Sequence, residues 1–112
     1  MINKIKKKGK QNCALITGAA GLLGEEHAIA LLEIQKNVIL TDINPTKLKI
    51  LKNKLKKKFN DSKIYSHKMD VTKEKSIQAT WNHFKKKNVV INVLINNAAI
   101  DPKFKKKKIV QK

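Results

Sequence analysis

The sequence predicts an α/β fold in which a parallel sheet of about four strands is flanked by helices. Three observations lead to this prediction. Short apolar runs of strand length alternate with segments whose apolar residues recur at helical spacing. The connections between these segments are short, which favours parallel strands joined by right-handed crossovers. A glycine-rich turn, Thr17-Gly18-Ala19-Ala20-Gly21-Leu22-Leu23-Gly24, follows the first apolar run.

The first three elements are predicted in the stretch that ends at Asp42. Residues 13–17 form a continuous apolar run, which is typical of a central parallel strand buried on both faces. Residues 37–41 predict the second strand, and residues 22–35 between them predict a helix. The apolar positions of this helix are Leu23, His27 or Ala28, Ala30 or Leu31, and Ile34.

Two more helices and two more strands are predicted after Asp42. Asn44 before Pro45 indicates an N-cap followed by proline at the first helical position. The apolar residues of the helix that follows are Leu48, Leu51, Leu55 and Phe59. Residues 63–69 and 89–95 predict strands, and Thr72 predicts the N-cap of the helix between them. The residues predicted to face the core from that helix are Ile77, Trp81 and Phe84.

The composition predicts one domain, or part of one, and limits its function. The chain has 112 residues and no apolar run of about 18 residues, the length of a membrane span. Its formal net charge is +18, and all 26 basic residues are lysine. Base readout favours arginine, and single-strand binding favours aromatic residues, which make up 4% of this chain. We therefore interpret the charge as a solvated surface shaped by codon composition and expect no specific nucleic-acid partner.

Three segments are predicted along the chain: a basic lead-in over residues 1–10, a single domain over 11–102, and a lysine-rich tail over 103–112. The lead-in lacks a signal-peptide cleavage pattern. The single cysteine, Cys13, excludes an intramolecular disulfide and fits a reducing cytoplasm. Its place in the first apolar run predicts that it is buried.

The glycine-rich turn has the layout of a βαβ unit that holds a dinucleotide. Gly18 permits a tight turn after the strand, Gly21 lets the backbone approach a pyrophosphate, and Gly24 lets the helix pack close to the sheet. The first N–H groups of the helix would face the phosphates, and Asp42 would accept hydrogen bonds from ribose hydroxyls. A glycine-rich loop in another kind of α/β protein is the alternative interpretation.

Further motifs occur at the ends of the later predicted strands: Asp70-Val71 after the third and Asn96-Asn97-Ala98-Ala99 after the fourth. Together with the glycine turn and Asp42, they resemble the short-chain dehydrogenase/reductase family. The resemblance covers residues 13 to about 102 and implies a partial Rossmann fold that binds NAD(P). The cofactor-binding residues that it implies are Thr17, Gly18, Gly21, Leu22, Gly24, Asp42, Asp70, Val71, Asn97 and Ala98.

Each implied role has a local alternative. In the alternative interpretation, Asp70 and Thr72 serve only to cap the third helix. Likewise, Asn96 and Asn97 serve only to satisfy backbone groups at a strand end. The choice between cofactors depends on Asp42, because its carboxylate would repel the 2′-phosphate of NADP and bond the free hydroxyls of NAD. The chain also has no arginine to hold that phosphate, although Lys47 is close in sequence. We expect NAD.

The family's catalytic residues are missing from the sequence. The resemblance implies a tyrosine with a lysine four residues later, whereas the only tyrosine, Tyr65, is followed by Met69 at that spacing. We therefore assign no catalytic residue and predict a cofactor-binding half that is truncated before its catalytic part and inactive alone. No metal site is predicted, since His27, His67 and His83 are scattered. The alternatives are a basic protein that binds nucleic acid or an anionic surface, and an inert remnant.

A truncated sheet would leave its fourth strand without a neighbour on one side. Residues 89–95 would then form an exposed apolar edge, because the run is rich in β-branched residues and carries no charge. We expect this edge to cause self-association.

Overall fold

A computed structural model of the chain describes residues 11–98. It confirms the predicted α/β order, with seven elements along the chain. These are β1 (Gln11–Ile16), α1 (Leu22–Glu33), β2 (Asn37–Asp42), α2 (Pro45–Lys58), β3 (Ile64–Lys68), α3 (Glu74–Lys86) and β4 (Val89–Ile95). The predicted lead-in over 1–10, the tail over 103–112 and residues 99–102 of the predicted domain lie outside the described residues.

The four strands form one parallel sheet in the order β3-β2-β1-β4. The chain therefore runs outward from β1 to β3 and then returns across the sheet to place β4 on the other side of β1. In open α/β sheets, ligands bind outside the carboxyl ends of the strands where the order reverses in this way. That point lies between the ends of β1 and β4.

The core has two layers, one on each face of the sheet. On one face, α1 and α2 pack against Ile16, Val38 and Leu40, and on the other face α3 packs against Leu15 and Ile39. Residues of β1 and β2 are buried on both faces, which confirms the prediction of two-sided burial for β1. Cys13 is likewise buried, and this burial raises the pKa of its thiol to about 11.

The helix α2 begins as the sequence predicts. The Asn44 side-chain oxygen accepts a hydrogen bond from the Lys47 N–H at 3.0 Å, and Pro45 occupies the first turn. Leu48, Leu51 and Leu55 are buried against the sheet, so the apolar period predicted for this helix is confirmed.

The apolar face predicted for α1 is confirmed only in part, at Ala28, which is fully buried, and at Leu31, which packs against the core. Its buried residues are Gly24, Ala28 and Leu32, whereas Leu23 and Ile34 are exposed. The helix is apolar around most of its circumference, so periodicity alone does not identify the buried face. The close approach of Gly24 to the preceding loop does identify it, because a Cβ at that position would lie 2.3 Å from the Gly18 carbonyl oxygen.

Two predictions for α3 are also wrong. Trp81 is 37% exposed, and the neighbouring Thr80 takes the buried position because its hydroxyl donates to the Ser76 carbonyl oxygen at 3.0 Å. The predicted N-cap residue, Thr72, is not at the helix start. Lys73 occupies that position, and the Thr72 hydroxyl instead donates to Asp70. Phe84 is buried as predicted.

Among the described residues, β4 hydrogen-bonds to β1 alone and is an edge strand. Its register shifts between Cys13 and Ala14 of β1, opposite Asn92, and its side chains are mostly half-buried or exposed. No helix within residues 11–98 combines the length and the apolar character that crossing a membrane requires.

Candidate functional site

A cleft of about 470 Å³ opens at the carboxyl ends of the strands, at the point where the strand order reverses. Residues from the ends of all four strands and from the first turn of α1 line it. Eight of the ten residues predicted from the sequence line it. These eight are Gly18, Gly21, Leu22, Asp42, Asp70, Val71, Asn97 and Ala98.

The glycines of the turn have different structural roles. Gly18 has a φ of +63°, and a Cβ there would lie 2.8 Å from the Ala98 Cα. Gly24 is buried against Gly18 and Ala19, so it allows α1 to approach the loop, whereas the sequence analysis expected the sheet. A Cβ on Gly21 would meet only the Gly18 carbonyl oxygen, at 3.6 Å, and would otherwise extend into open space. Gly21 therefore leaves the backbone accessible from the cleft.

The start of α1 offers hydrogen-bond donors to the cleft. Gly21 is the N-cap and has no side chain to accept from the first N–H groups of the helix. Within residues 11–98, no protein acceptor engages the N–H groups of Leu22, Leu23 and Gly24. Of these three residues, Leu22 and Leu23 line the cleft. Their N–H groups and the positive end of the helix dipole favour an anion there.

Asp42, at the end of β2, lies beside the loop that leads into this helix. Its Oδ2 accepts from the Ala20 N–H at 3.1 Å, and its Oδ1 accepts from the Asn44 N–H at 3.0 Å. Beside it, the Thr41 hydroxyl donates to the Ile16 carbonyl oxygen and the Thr41 carbonyl accepts from the Ala19 N–H, both at 2.8 Å. The carboxylate is half-buried, and each of its oxygens retains lone-pair capacity for a ligand.

Thr17 is buried behind the cleft and links the ends of β1 and β4. Its hydroxyl oxygen accepts from the N–H groups of Asn97 and Ala98, both at 2.9 Å. The Asn97 side-chain amide donates to the Gly18 carbonyl oxygen at 3.2 Å, so this asparagine does satisfy a backbone group, as the local alternative proposed. The two predicted site residues that do not line the cleft, Thr17 and Gly24, support its walls from behind.

Asp70 organises the turn that follows β3. Its Oδ1 accepts from the Thr72 hydroxyl at 2.7 Å and from the Thr72 N–H at 2.9 Å. These two hydrogen bonds, the hydroxyl first, hold the pKa of the Asp70 carboxyl below its ordinary value. The Asp70 N–H donates to the Ser76 hydroxyl oxygen at 2.8 Å. The alternative that Asp70 and Thr72 cap α3 is wrong, since neither side chain reaches the first N–H groups of that helix.

Sequence reasoning missed four residues that line the cleft. They are Leu23, Ile43, Met69 and Thr72. Together with Leu22, which is 90% exposed, the apolar members give the cleft a hydrophobic wall beside its donors. All four are sequence neighbours of predicted site residues, so adjacency in sequence was the available signal: Leu23 follows Leu22, Ile43 follows Asp42, Thr72 follows Val71, and Met69 precedes Asp70.

The other chemically reactive residues lie away from the cleft. Tyr65 is in β3, where its hydroxyl donates to the Gln11 side-chain oxygen at 2.5 Å and its ring packs edge-on against Phe84. Partial burial raises the pKa of its phenol, which keeps the hydroxyl protonated. His67 and His83 contact each other with ring centroids 4.7 Å apart. In the part of the chain that the structure describes, no three potential ligands come together at a metal site.

Comparisons with known proteins agree with this architecture. The model of the short chain dehydrogenase family matches residues 12–112, so the chain belongs to this family. Its four-stranded sheet is part of a Rossmann fold. A curated relative, the short chain dehydrogenase/reductase dpfgG of Gibberella zeae, is 37% identical over 90 residues, which are 80% of this chain and 32% of that protein.

Two solved structures extend the comparison. The NAD⁺-bound xylitol dehydrogenase aligns with a TM-score of 0.72 and 29% identity, covering 85% of this chain and 35% of that one. An NADPH-bound short chain oxidoreductase from Pseudomonas aeruginosa PAO1 aligns with a TM-score of 0.74 and 19% identity, covering 82% and 37%. The likeness to the second concerns the fold alone. The chain spans about a third of the length of these relatives.

Proposed function

We propose that this chain is the nicotinamide-dinucleotide-binding module of a short-chain dehydrogenase/reductase, an oxidoreductase family. The observation that carries the proposal is the pairing of two features in one cleft. Leu22 and Leu23, whose N–H groups are unengaged within residues 11–98, line the same cleft as Asp42. A diphosphate and the adjoining ribose have the chemistry that such a pair recognises.

The proposed binding mode follows the positions of the lining residues. The diphosphate lies against Gly18, Gly21 and the first turn of α1, at the place where Gly21 leaves the backbone accessible. The adenosine ribose contacts Asp42, and the adenine ring lies beside Asp70 and Val71. The nicotinamide-side ribose lies along Asn97 and Ala98. When bound, the nicotinamide would supply the hydride acceptor or donor of the reaction.

We propose NAD in preference to NADP. The 2′-phosphate of NADP would approach the Asp42 carboxylate, and two negative charges at contact distance repel each other. The free 2′-hydroxyl of NAD would instead donate to that carboxylate. The solved relatives include an NAD⁺-bound and an NADPH-bound protein, so the preference depends on the residues of this chain.

We assign the chain no catalytic residue and expect it not to transfer hydride by itself. Its single tyrosine, Tyr65, hydrogen-bonds Gln11 outside the cleft and has no lysine four residues later. The substrate of the whole oxidoreductase is correspondingly unassigned. A reducing compartment such as the cytoplasm fits the buried free thiol of Cys13.

Titration with NADH at about 200 mM salt tests the proposal, because salt screens the nonspecific attraction of anions to the lysines. We expect saturable binding that Asp42→Ala weakens. Asp61→Ala, an exposed carboxylate in the turn after α2, is the matched control and should bind as the wild type does. Absence of NADH binding by folded protein, together with salt-sensitive DNA binding, would favour the alternative of a basic nucleic-acid-binding protein.

We also propose that two copies associate through their β4 edges. Among the described residues, one side of β4 has no hydrogen-bonding partner, and Leu94 is 53% exposed. The strand contains no charged residue, so two edges can pair without placing lysines opposite each other, despite the net charge of +18. Sedimentation of a stable, monodisperse monomer would contradict this proposal.

A further inference from the structure

We infer that Asp42 is a positioning residue for the glycine-rich loop as well as a ribose ligand. Its carboxylate thereby helps to shape the diphosphate site. The inference rests on the proposed function of the cleft. Its basis is that both carboxylate oxygens engage backbone N–H groups, Oδ2 that of Ala20 and Oδ1 that of Asn44.

The bond to Ala20 lies at a sensitive point of the loop. Ala20 directly precedes Gly21, the N-cap of α1, and the N–H groups that face the cleft begin one residue later. The Gly21 N–H donates to the Gly18 carbonyl oxygen at 3.2 Å, which is a hydrogen bond within the loop itself. Two other hydrogen bonds fix the loop. On the β2 side the Ala19 N–H donates to the Thr41 carbonyl oxygen, and on the β4 side the Asn97 side-chain amide donates to the Gly18 carbonyl oxygen. Loss of the Asp42 carboxylate would therefore release the residue next to the helix start.

A positioning role and a purely ribose-binding role predict opposite effects on a bare diphosphate. Inorganic pyrophosphate has no ribose, so a residue that only contacts ribose gives it no favourable interaction. A carboxylate near the site repels the anion, and its removal would then leave the affinity for pyrophosphate unchanged or increase it. If Asp42 instead holds the loop, its removal disorders the donors and lowers that affinity. The sign of the change separates the two roles.

The experiment is a titration of the full chain with inorganic pyrophosphate at about 200 mM salt. Binding is followed at the backbone amide resonances of Leu22, Leu23 and Gly24, so that nonspecific association with surface lysines is not counted. We expect Asp42→Ala to weaken pyrophosphate binding about fivefold, the effect of one lost hydrogen bond. Asp42→Asn should lie between Asp42→Ala and the wild type, because its side-chain oxygen can accept from one of the two N–H groups.

Asp61→Asn is the matched control. It also removes one negative charge, but Asp61 is an exposed residue of the turn after α2 and does not line the cleft. We expect Asp61→Asn to bind pyrophosphate as tightly as the wild type. Circular dichroism establishes that each variant is folded before it is titrated.

A variant Asp42→Ala that binds pyrophosphate at least as tightly as the wild type, while it loses NADH affinity, would overturn the inference and leave the proposed function intact. A folded wild type that binds neither ligand would overturn both. Hydrogen exchange of the unliganded wild type supplies a measurement that needs no variant. We expect slow exchange of the Ala20 amide, and exchange at the rate of an unprotected amide would overturn the inference.

Discussion

The strands β1 and β4 are neighbours in the sheet, and both are apolar in sequence, yet they have different structural roles. In β1, Cys13 to Ile16 are completely buried, because β2 and β4 pair with its two sides and helices cover both faces. In β4, most side chains are half-buried or exposed. An apolar run therefore identifies a strand, while its position in the sheet decides how much burial its residues contribute.

The two edges of the sheet differ as well. The strand β3 carries His67 and Lys68 and is preceded by Lys63, which are residues that discourage pairing with another chain. The strand β4 carries no charge in its seven residues. If both edges were equally protected, neither would associate. The difference between them supports the proposal that copies of the chain associate through β4.

The largest effect we expect comes from Leu15, which pairs in register with Leu94 across β1 and β4. Leu15 is 0% exposed, so Leu15→Ala should lower the free energy of unfolding by about 3 kcal/mol through lost burial and a new cavity. Leu94→Ala is the matched control in the neighbouring strand and should cost less than about 1 kcal/mol. Urea denaturation measures both, and equal losses would contradict the distinction between the two strands.

The second effect concerns the link between the ends of β1 and β4. Thr17→Val keeps the side-chain shape but removes the oxygen that accepts from the N–H groups of Asn97 and Ala98. The Ala98 N–H would lose this acceptor, whereas the Asn97 N–H would keep the Ile95 carbonyl oxygen at 3.0 Å. Leaving one partly buried donor unsatisfied should cost about 2 kcal/mol of unfolding free energy. Thr17→Ser retains the hydroxyl and is the control. The link would be energetically unimportant if the valine variant melted at the same temperature as the serine variant.

A third change acts on association more than on stability. Leu94→Lys places a charge on the β4 edge, as lysine does on the β3 edge, and should shift the sedimentation coefficient toward that of the monomer. Its effect on unfolding free energy should remain below about 0.5 kcal/mol, since Leu94 is an exposed position. Ile50→Lys on the exposed side of α2 is the control and should leave association unchanged.

The smallest effect is a pH dependence near β3. Partial desolvation, followed by the charges of His67, Lys87 and Lys86, holds the pKa of His83 below its ordinary value of 6.5. The unfolded chain then binds the proton more readily than the folded one. The stabilising contribution is therefore complete above pH 6.5 and decreases as the pH falls toward the folded pKa. Thermal melts from about pH 8 to about pH 5.5 should show this loss, and His83→Asn should reduce it.

Much of the site was predictable because its chemistry depends on short local motifs. The glycine turn, Asp42, Asp70-Val71 and Asn97-Ala98 all follow predicted strands, and parallel strands bring their carboxyl ends to one edge of the sheet. The buried face of α1 was not predictable, because that helix is apolar on most sides. Trp81 was misplaced because residue type alone favours an aromatic residue over a threonine in the core, whereas Thr80 is buried with its hydroxyl bonded to the Ser76 carbonyl oxygen one turn earlier in α3.

The amino-acid sequence by itself determined the order of elements, the α2 cap and the family, since these depend on residue types at fixed spacing along the chain. Other features are visible in the three-dimensional structure alone. The Thr17 hydroxyl accepts hydrogen bonds from two N–H groups about 80 residues away, and the Asp42 carboxylate accepts one from the Ala20 N–H. The position of β4 at the edge of the sheet, among the described residues, is likewise a property of the fold. The physical reason is that long-range hydrogen bonds and strand neighbours depend on how the whole chain packs. A local pattern of apolar and polar residues is compatible with several such arrangements.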